Sequence, residues 1–185
     1  MPVDDLSHVV WLGGSACAGK TTLARRLAAR DGLALYSCDD AFEAHRRRAD
    51  PRRHRCFHRL MDLPPERLFA PPAEVQAADL LAFYRDEFEM VLEDLRELTG
   101  PVLAEGVGLL PDLVAAIAPV TLEPGRSSWL IATPEFRRRA YAGRSDAVRG
   151  VTADAFGRWM ERDDLVAQYL EAEARRLGLR VRIVD

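Results

Sequence analysis

Ten residues near the amino end, Gly13-Gly14-Ser15-Ala16-Cys17-Ala18-Gly19-Lys20-Thr21-Thr22, follow directly on the apolar run Val9-Val10-Trp11-Leu12. Gly14 to Thr21 has the spacing G-x-x-x-x-G-K-[ST] between a predicted strand and a predicted helix, the context in which that spacing carries meaning. Glycines let the backbone curl its N–H groups around phosphate oxygens. A helix opening at Lys20 adds unsatisfied donors and the positive end of its dipole. Lys20 is the single lysine among 26 Lys and Arg residues. A compact ammonium fits between phosphates where the planar fork of an arginine is too bulky, which accounts for the exception. Thr21 supplies a hydroxyl for Mg²⁺, and Gly14, Ser15, Ala16, Cys17, Ala18, Gly19, Lys20, Thr21 and Thr22 are the candidate nucleotide-binding residues. Cys17 reads as a small filler of a tight loop.

The solitary lysine also excludes chemistry. A guanine-reading N-K-x-D motif, a second catalytic lysine, a lysine Schiff base and the strand lysine of protein kinases all require a lysine elsewhere in the chain. With 185 residues and 48% hydrophobic content the chain supports one well-buried core, so a single domain over 1–185 is expected. Cysteines at 17, 38 and 56 show neither paired spacing nor metal-ligand spacing with the four histidines, which suggests reduced thiols. A net charge of -3 argues against a general nucleic-acid binder. No apolar run approaches a membrane span and the acidic start Met1-Pro2-Val3-Asp4-Asp5 lacks the features of a signal peptide, so the expected location is the cytoplasm.

Strand and helix alternate along the chain. Strands are predicted at Val9–Leu12, Leu33–Cys38, Val102–Ala104, Ser128–Ala132 and Arg180–Val184, and helices from Lys20, Pro111, Thr133 and about Asp154. The longest helix follows Pro72, with Val75, Leu81, Tyr84, Phe88, Val91, Leu92, Leu95 and Leu98 recurring at three and four residues until Thr99-Gly100-Pro101. Such alternation calls for an α/β fold with a parallel sheet covered on both faces. The polar, arginine-rich and proline-punctuated segment 41–72 reads as an insertion of short helices and loops.

Chemistry in such a sheet collects at the carboxyl ends of the strands. The second strand ends in Cys38-Asp39-Asp40-Ala41-Phe42-Glu43. Asp39 or Asp40 could accept the proton of an attacking hydroxyl or help hold Mg²⁺, and Asp40 could equally cap the next helix. The arginine run from Arg46 to Arg59 lies just beyond, where an anionic acceptor would find it, or where it would form a solvated helical face. Phe42 and Phe57 are placed to touch an acceptor, whereas Tyr84, Phe88, Trp129 and Trp159 read as core.

In element order and motif the chain resembles the small P-loop kinases that phosphorylate nucleoside monophosphates, nucleosides, shikimate and similar metabolites. Its loop is similar to the G-G-S-x-A-G-K loop of chloramphenicol phosphotransferases, whose Asp-x-x-x-x-Glu pattern falls at Asp39 with Glu43 close behind. The pair Asp39-Asp40 is similar to that of polynucleotide kinases. The resemblance implies a three-layer P-loop kinase fold with strand order 2-3-1-4-5, ATP and Mg²⁺ as cofactors, and transfer of the γ-phosphoryl to a small-molecule hydroxyl or phosphate. It implies an acceptor-binding insertion over 41–72 and a lid over 143–153. Lys20, Asp39, Arg137 and Arg144 would be catalytic, and Arg162 would face the nucleotide. Glu105 would contact Mg²⁺ through water, or the acceptor, and Asp40, Phe42, Arg46 and Gly106 would line the acceptor site. An end kinase for oligonucleotides and a switch-type NTPase use the same core.

Overall fold

The computed structural model describes residues 6–117, 125–142 and 152–185. Among the described residues five strands form one parallel sheet: β1 (Val9–Gly14), β2 (Ala34–Ser37), β3 (Val102–Glu105), β4 (Ser127–Ala132) and β5 (Val181–Val184). Their order across the sheet is β2-β3-β1-β4-β5, as expected from the resemblance. β1 lies at the centre, pairing Trp11 with Ala104 of β3 on one side and with Ser127 of β4 on the other.

Side chains alternate across the central strand, as the period of two requires. Val9 and Trp11 point into one layer with Phe88, Val91 and Leu95, which belong to the long helix α5 (Ala73–Glu97). Val10 and Leu12 point into the other layer with Leu23, Ala24 and Leu27 of α1 (Lys20–Asp31). The first layer is completed by α6 (Pro111–Ile117) and α8 (Ala153–Arg176), the second by α7 (Pro134–Ala142). These are the three layers of a P-loop kinase fold. No helix among the described residues is long and apolar enough to cross a membrane.

Between β2 and α5 lie α2 (Cys38–Arg48), α3 (Arg55–Met61) and α4 (Pro65–Leu68). Phe42 and Phe57 of this segment pack with Phe83 and Met90 of α5. Consequently α5 is covered on two sides, by the sheet and by the inserted helices. Val75, assigned to the buried stripe by its spacing, is 46% exposed, and Leu98 stands outside the helix as its carboxyl-terminal cap. The buried positions Gln76, Phe83, Glu87 and Met90 belong to the second covered face instead. Thr133 receives the amide of Phe136 at 3.2 Å, the cap that its sequence position predicts for α7.

Candidate functional site

The loop between β1 and α1 is shaped by close approach to β4. A Cβ on Gly14, whose φ is +130°, would stand 2.0 Å from the carbonyl oxygen of Leu130. Ser15 is held on the same strand, donating its amide to Leu130 O at 2.9 Å and accepting the amide of Ala132 on Oγ at 2.9 Å. Gly14 and Ser15 thus anchor the loop. Residues 16–22 line a cavity of about 220 Å³ together with Asp39, Val107 and Tyr141. Cys17 adopts a left-handed backbone, φ 59°, and Gly19 likewise, φ 78°, at the cap of α1. No side chain caps the helix start, so its amides remain available to a ligand. Lys20 reaches back to donate its Nζ to Ser15 O at 2.8 Å. Burial pulls the Lys20 ammonium below its ordinary titration range, against the opposing pull of Glu105 and Asp39.

Glu105 ends β3 with a carboxylate that is 1% exposed. Its Oε1 accepts hydrogen bonds from Thr21 Oγ1 at 3.0 Å and Ser37 Oγ at 3.1 Å. This is a set of hard oxygens beside the phosphate loop, and one carboxylate with a hydroxyl is what Mg²⁺ needs when phosphate oxygens and water complete its shell. The neighbouring Gly106 answers to packing: a Cβ there would lie 2.6 Å from Cys38 Sγ. Burial pushes the Cys38 thiol well up, which keeps it protonated and inert.

Ser37, not Asp40, is the side-chain cap of α2, accepting the amide of Asp40 on its Oγ at 3.4 Å. The two adjacent carboxylates diverge from there, because residues one apart on a helix point about 100° apart. Asp39 lines the phosphate-loop cavity and also a second cavity of about 290 Å³. Asp40 is in the lining of neither. The second cavity is completed by Cys38, Phe42, Phe83, Tyr84, Glu87 and Gly108. Phe42 therefore stands where an acceptor is expected. Phe57, by contrast, is core, stacked on Phe83 at 4.6 Å. Tyr84, read from its spacing as core, lines the cavity. Glu87 was missed, although a glutamate four residues after Phe83 and one before Phe88 breaks an apolar face.

Behind Glu87 sits a buried polar network. His45 is fully buried, with Nδ1 3.0 Å from Glu87 Oε1 and Nε2 2.9 Å from Asp94 Oδ2. Asp94 also receives the hydroxyl of Tyr36 at 2.7 Å and the guanidinium of Arg48 at 2.6 Å. Burial opposes the charged imidazole, but the hydrogen bonds to Glu87 and Asp94 outweigh it and raise its pKa. Asp94 lies below the ordinary carboxylate range: burial pushes it up, and hydrogen bonds from Tyr36, His45 and Arg48 overcome that.

The arginines are distributed differently from the sequence expectation. Arg137 is buried on α7, donating to Asp164 and, at 2.8 Å, to Ala132 O, so its guanidinium ties α7 to α8 and the end of β4 instead of reaching the phosphate cavity. Arg162 binds Asp163 at 2.7 Å and lies over the rings of Phe69 and Trp159, again outside that cavity. Arg46 is an exposed partner of Glu43 at 3.1 Å. In the same segment Arg53 pairs with Glu89 and Arg59 with Asp79, at 2.7 and 2.6 Å. Carboxylates of α5 pair with Arg53 and Arg59, and Arg47 and Arg55 donate to main-chain carbonyls, so these exposed arginines follow the alternative expectation, a solvated face. Arg144, and residues 143–151 of the lid expected over 143–153, lie outside the described residues. Arg137→Ala is expected to lower stability by about 2–3 kcal/mol, because Asp164 loses its nearer partner, keeping only Arg138 at 3.5 Å, and a buried carbonyl loses its donor. A lowered urea midpoint with unchanged slope checks this, and Arg137→Lys should recover only part.

No protein-family model and no curated protein sequence matches the chain. Among solved structures it is similar to shikimate kinase from Bacteroides thetaiotaomicron, at 20% identity and a TM-score of 0.48 over 96% of this chain and 85% of that one. It is similar to shikimate kinase from Acinetobacter baumannii in complex with shikimate, at 17% identity and a TM-score of 0.49 over 96% and 82%. A third is deoxyadenosine kinase from M. mycoides with bound dATP, at 8% identity and a TM-score of 0.44 over 96% and 90%.

Proposed function

We propose that the chain is an ATP-dependent phosphotransferase acting on the hydroxyl of a small molecule. The observation that carries this reading is Asp39, common to the lining of the phosphate-loop cavity and of the aromatic cavity beside it. A carboxylate at that junction can receive a proton from a hydroxyl in one cavity as it attacks a phosphorus held in the other. A switch that only hydrolyses nucleotide has no need of the second cavity.

The chain's own groups divide the work. Amides of residues 16–21 and the Lys20 ammonium bind the phosphates and stabilise the charge that develops during transfer. Thr21 and Glu105 would hold Mg²⁺, which when bound neutralises the phosphate oxygens and orients them. The acceptor oxygen forms a bond to the γ-phosphorus while the bond from that phosphorus to the β,γ-bridging oxygen breaks. ADP leaves, and the acceptor proton passes to Asp39. Tyr141, whose hydroxyl donates to Asp163 at 3.0 Å, presents its ring as a wall of the phosphate cavity.

The test follows label from γ-phosphate of ATP into a panel of hydroxyl compounds with Mg²⁺. Label in an acceptor, reduced at least about 10²-fold by Asp39→Ala with nucleotide affinity kept, is the expected result. Label reaching only inorganic phosphate, at a rate indifferent to Asp39→Ala, would replace the reading by a nucleotide-driven switch.

A further inference from the structure

We propose that the acceptor is an uncharged or cationic hydroxyl compound with an apolar face, selected by a hydrogen bond to Glu87. The inference rests on the phosphotransferase reading and narrows its substrate.

The second cavity combines apolar walls with acidic chemistry. Phe42, Phe83 and Tyr84 offer aromatic surface, whereas its polar groups are the carboxylates of Asp39 and Glu87, the protonated thiol of Cys38 and the Tyr84 hydroxyl, which burial keeps neutral. None of the described residues that line it is cationic. The arginines nearest in sequence are engaged elsewhere: Arg46 with Glu43, Arg47 with Glu43 O, Arg48 with Asp94 and Met90 O, and Arg85 with Asp112 and Tyr169. A phosphate or carboxylate entering this space would lose its water and meet two carboxylates. That juxtaposition rejects anions by repulsion, independently of any attractive contact.

Glu87 adds the attractive half. It is 4% exposed, and His45 holds its Oε1 at 3.0 Å from within the protein. Its Oε2 is on the side of Gly108, 3.7 Å from where a Cβ on that glycine would stand, and Tyr84 Cδ1 lies 3.1 Å from the same point. A side chain at position 108 would thus fill the space next to Oε2. Glycine keeps it open. His45 is fixed in turn by Asp94 and Tyr36, so the carboxylate is oriented before any ligand arrives. A buried carboxylate oxygen facing a cavity gains most from a donor, and a second hydroxyl or an ammonium supplies one. The acceptor's reacting hydroxyl then lies toward Asp39, which takes its proton, and the anchored donor lies toward Glu87.

Matched probes test this: phenylethanediol, phenylethanolamine and mandelate share one carbon frame and carry neutral, positive and negative charge, and adenosine with adenosine monophosphate forms a second set. Phosphorylation is measured with labelled ATP, and binding of the same compounds is measured directly by calorimetry. The neutral and cationic members are expected to exceed the anionic ones at least ten-fold in both assays. Glu87→Gln, which keeps the shape of the side chain, should raise the acceptor KM and Kd about ten- to hundred-fold, leave the KM for ATP unchanged and erase the advantage of the ammonium compound. Equal or better use of the anionic members, or an acceptor KM untouched by Glu87→Gln, would overturn the inference while leaving the kinase reading intact. Charge-selective binding lost in Glu87→Gln, with label passing only to inorganic phosphate, would sustain the site and remove the kinase reading. Binding without charge preference in the wild-type protein overturns the inference whatever the label does.

Discussion

Lys20→Ala is expected to lower kcat/KM for phosphoryl transfer by about 10³-fold while leaving the fold in place. The ammonium is the single lysine of the chain, buried at the start of α1 and parked on Ser15 O at 2.8 Å. Removing a preorganised positive charge aimed at developing negative charge costs roughly 10²–10³ in rate, and the lost contact to bound phosphate weakens nucleotide affinity further. The expected cost to stability is small, because burial already disfavours the charged form. Lys20→Arg should rescue little: a guanidinium is planar and bulkier, and the loop that would have to accommodate it is pinned to β4 through Gly14 and Ser15. Transfer kinetics together with urea unfolding check the claim. Retention of more than a tenth of the wild-type rate in Lys20→Ala would remove this lysine from the mechanism.

His45→Ala is expected to destabilise the protein by about 3–5 kcal/mol, the usual range when one partner leaves a buried ion pair. His45 is the only group that touches both Glu87 and Asp94 in the network described, so its removal leaves Glu87 buried with an uncompensated charge and empties a fully buried site. The pH dependence has a definite sign. The imidazole pKa is raised above 6.5 in the folded state, so its contribution is fully present below pH 6.5 and is lost as pH rises through the raised value. Asp94 is lowered from 3.8, so its contribution is present above pH 3.8 and is lost as pH falls through the lowered value. Stability of the wild-type protein should therefore hold between about pH 4 and 6.5 and decline above it, and His45→Ala should flatten that alkaline decline. Tyr36, Glu87, Asp94 and, through Asp94, Arg48 face the imidazole, and Tyr36 remains a neutral donor because burial, followed by its bond to Asp94, raises its pKa. Urea midpoints measured at several pH values read this directly. An alkaline decline of equal size in His45→Ala would assign it to another group.

The sequence by itself determined the sheet and the phosphate loop. Alternating strand and helix patterns are local, and the spacing from Gly14 to Thr21 puts the loop, the lysine and the helix start in fixed relation whatever surrounds them. Glu105 was expected through the family resemblance, and the structure sets it at the end of β3 beside β1. Side-chain destinations were not legible. Whether Asp39 or Asp40 faces the cavity depends on the start of α2 at Cys38, set by Ser37, and a shift of one residue would exchange them. Arg137 has an arginine on its carboxyl side and a pattern that fits a phosphate ligand, yet Asp164, 27 residues away, claims it. From sequence the insertion arginines fit an anion site or a solvated face alike, and α5 supplies Asp94, Glu89 and Asp79 as partners of Arg48, Arg53 and Arg59. Glu87 gained its place only when the inserted helices covered the second face of α5 and brought His45 against it. Each of these was decided by tertiary structure because charge pairing and burial act between segments far apart in sequence, whereas turn geometry and hydrophobic period act between neighbours.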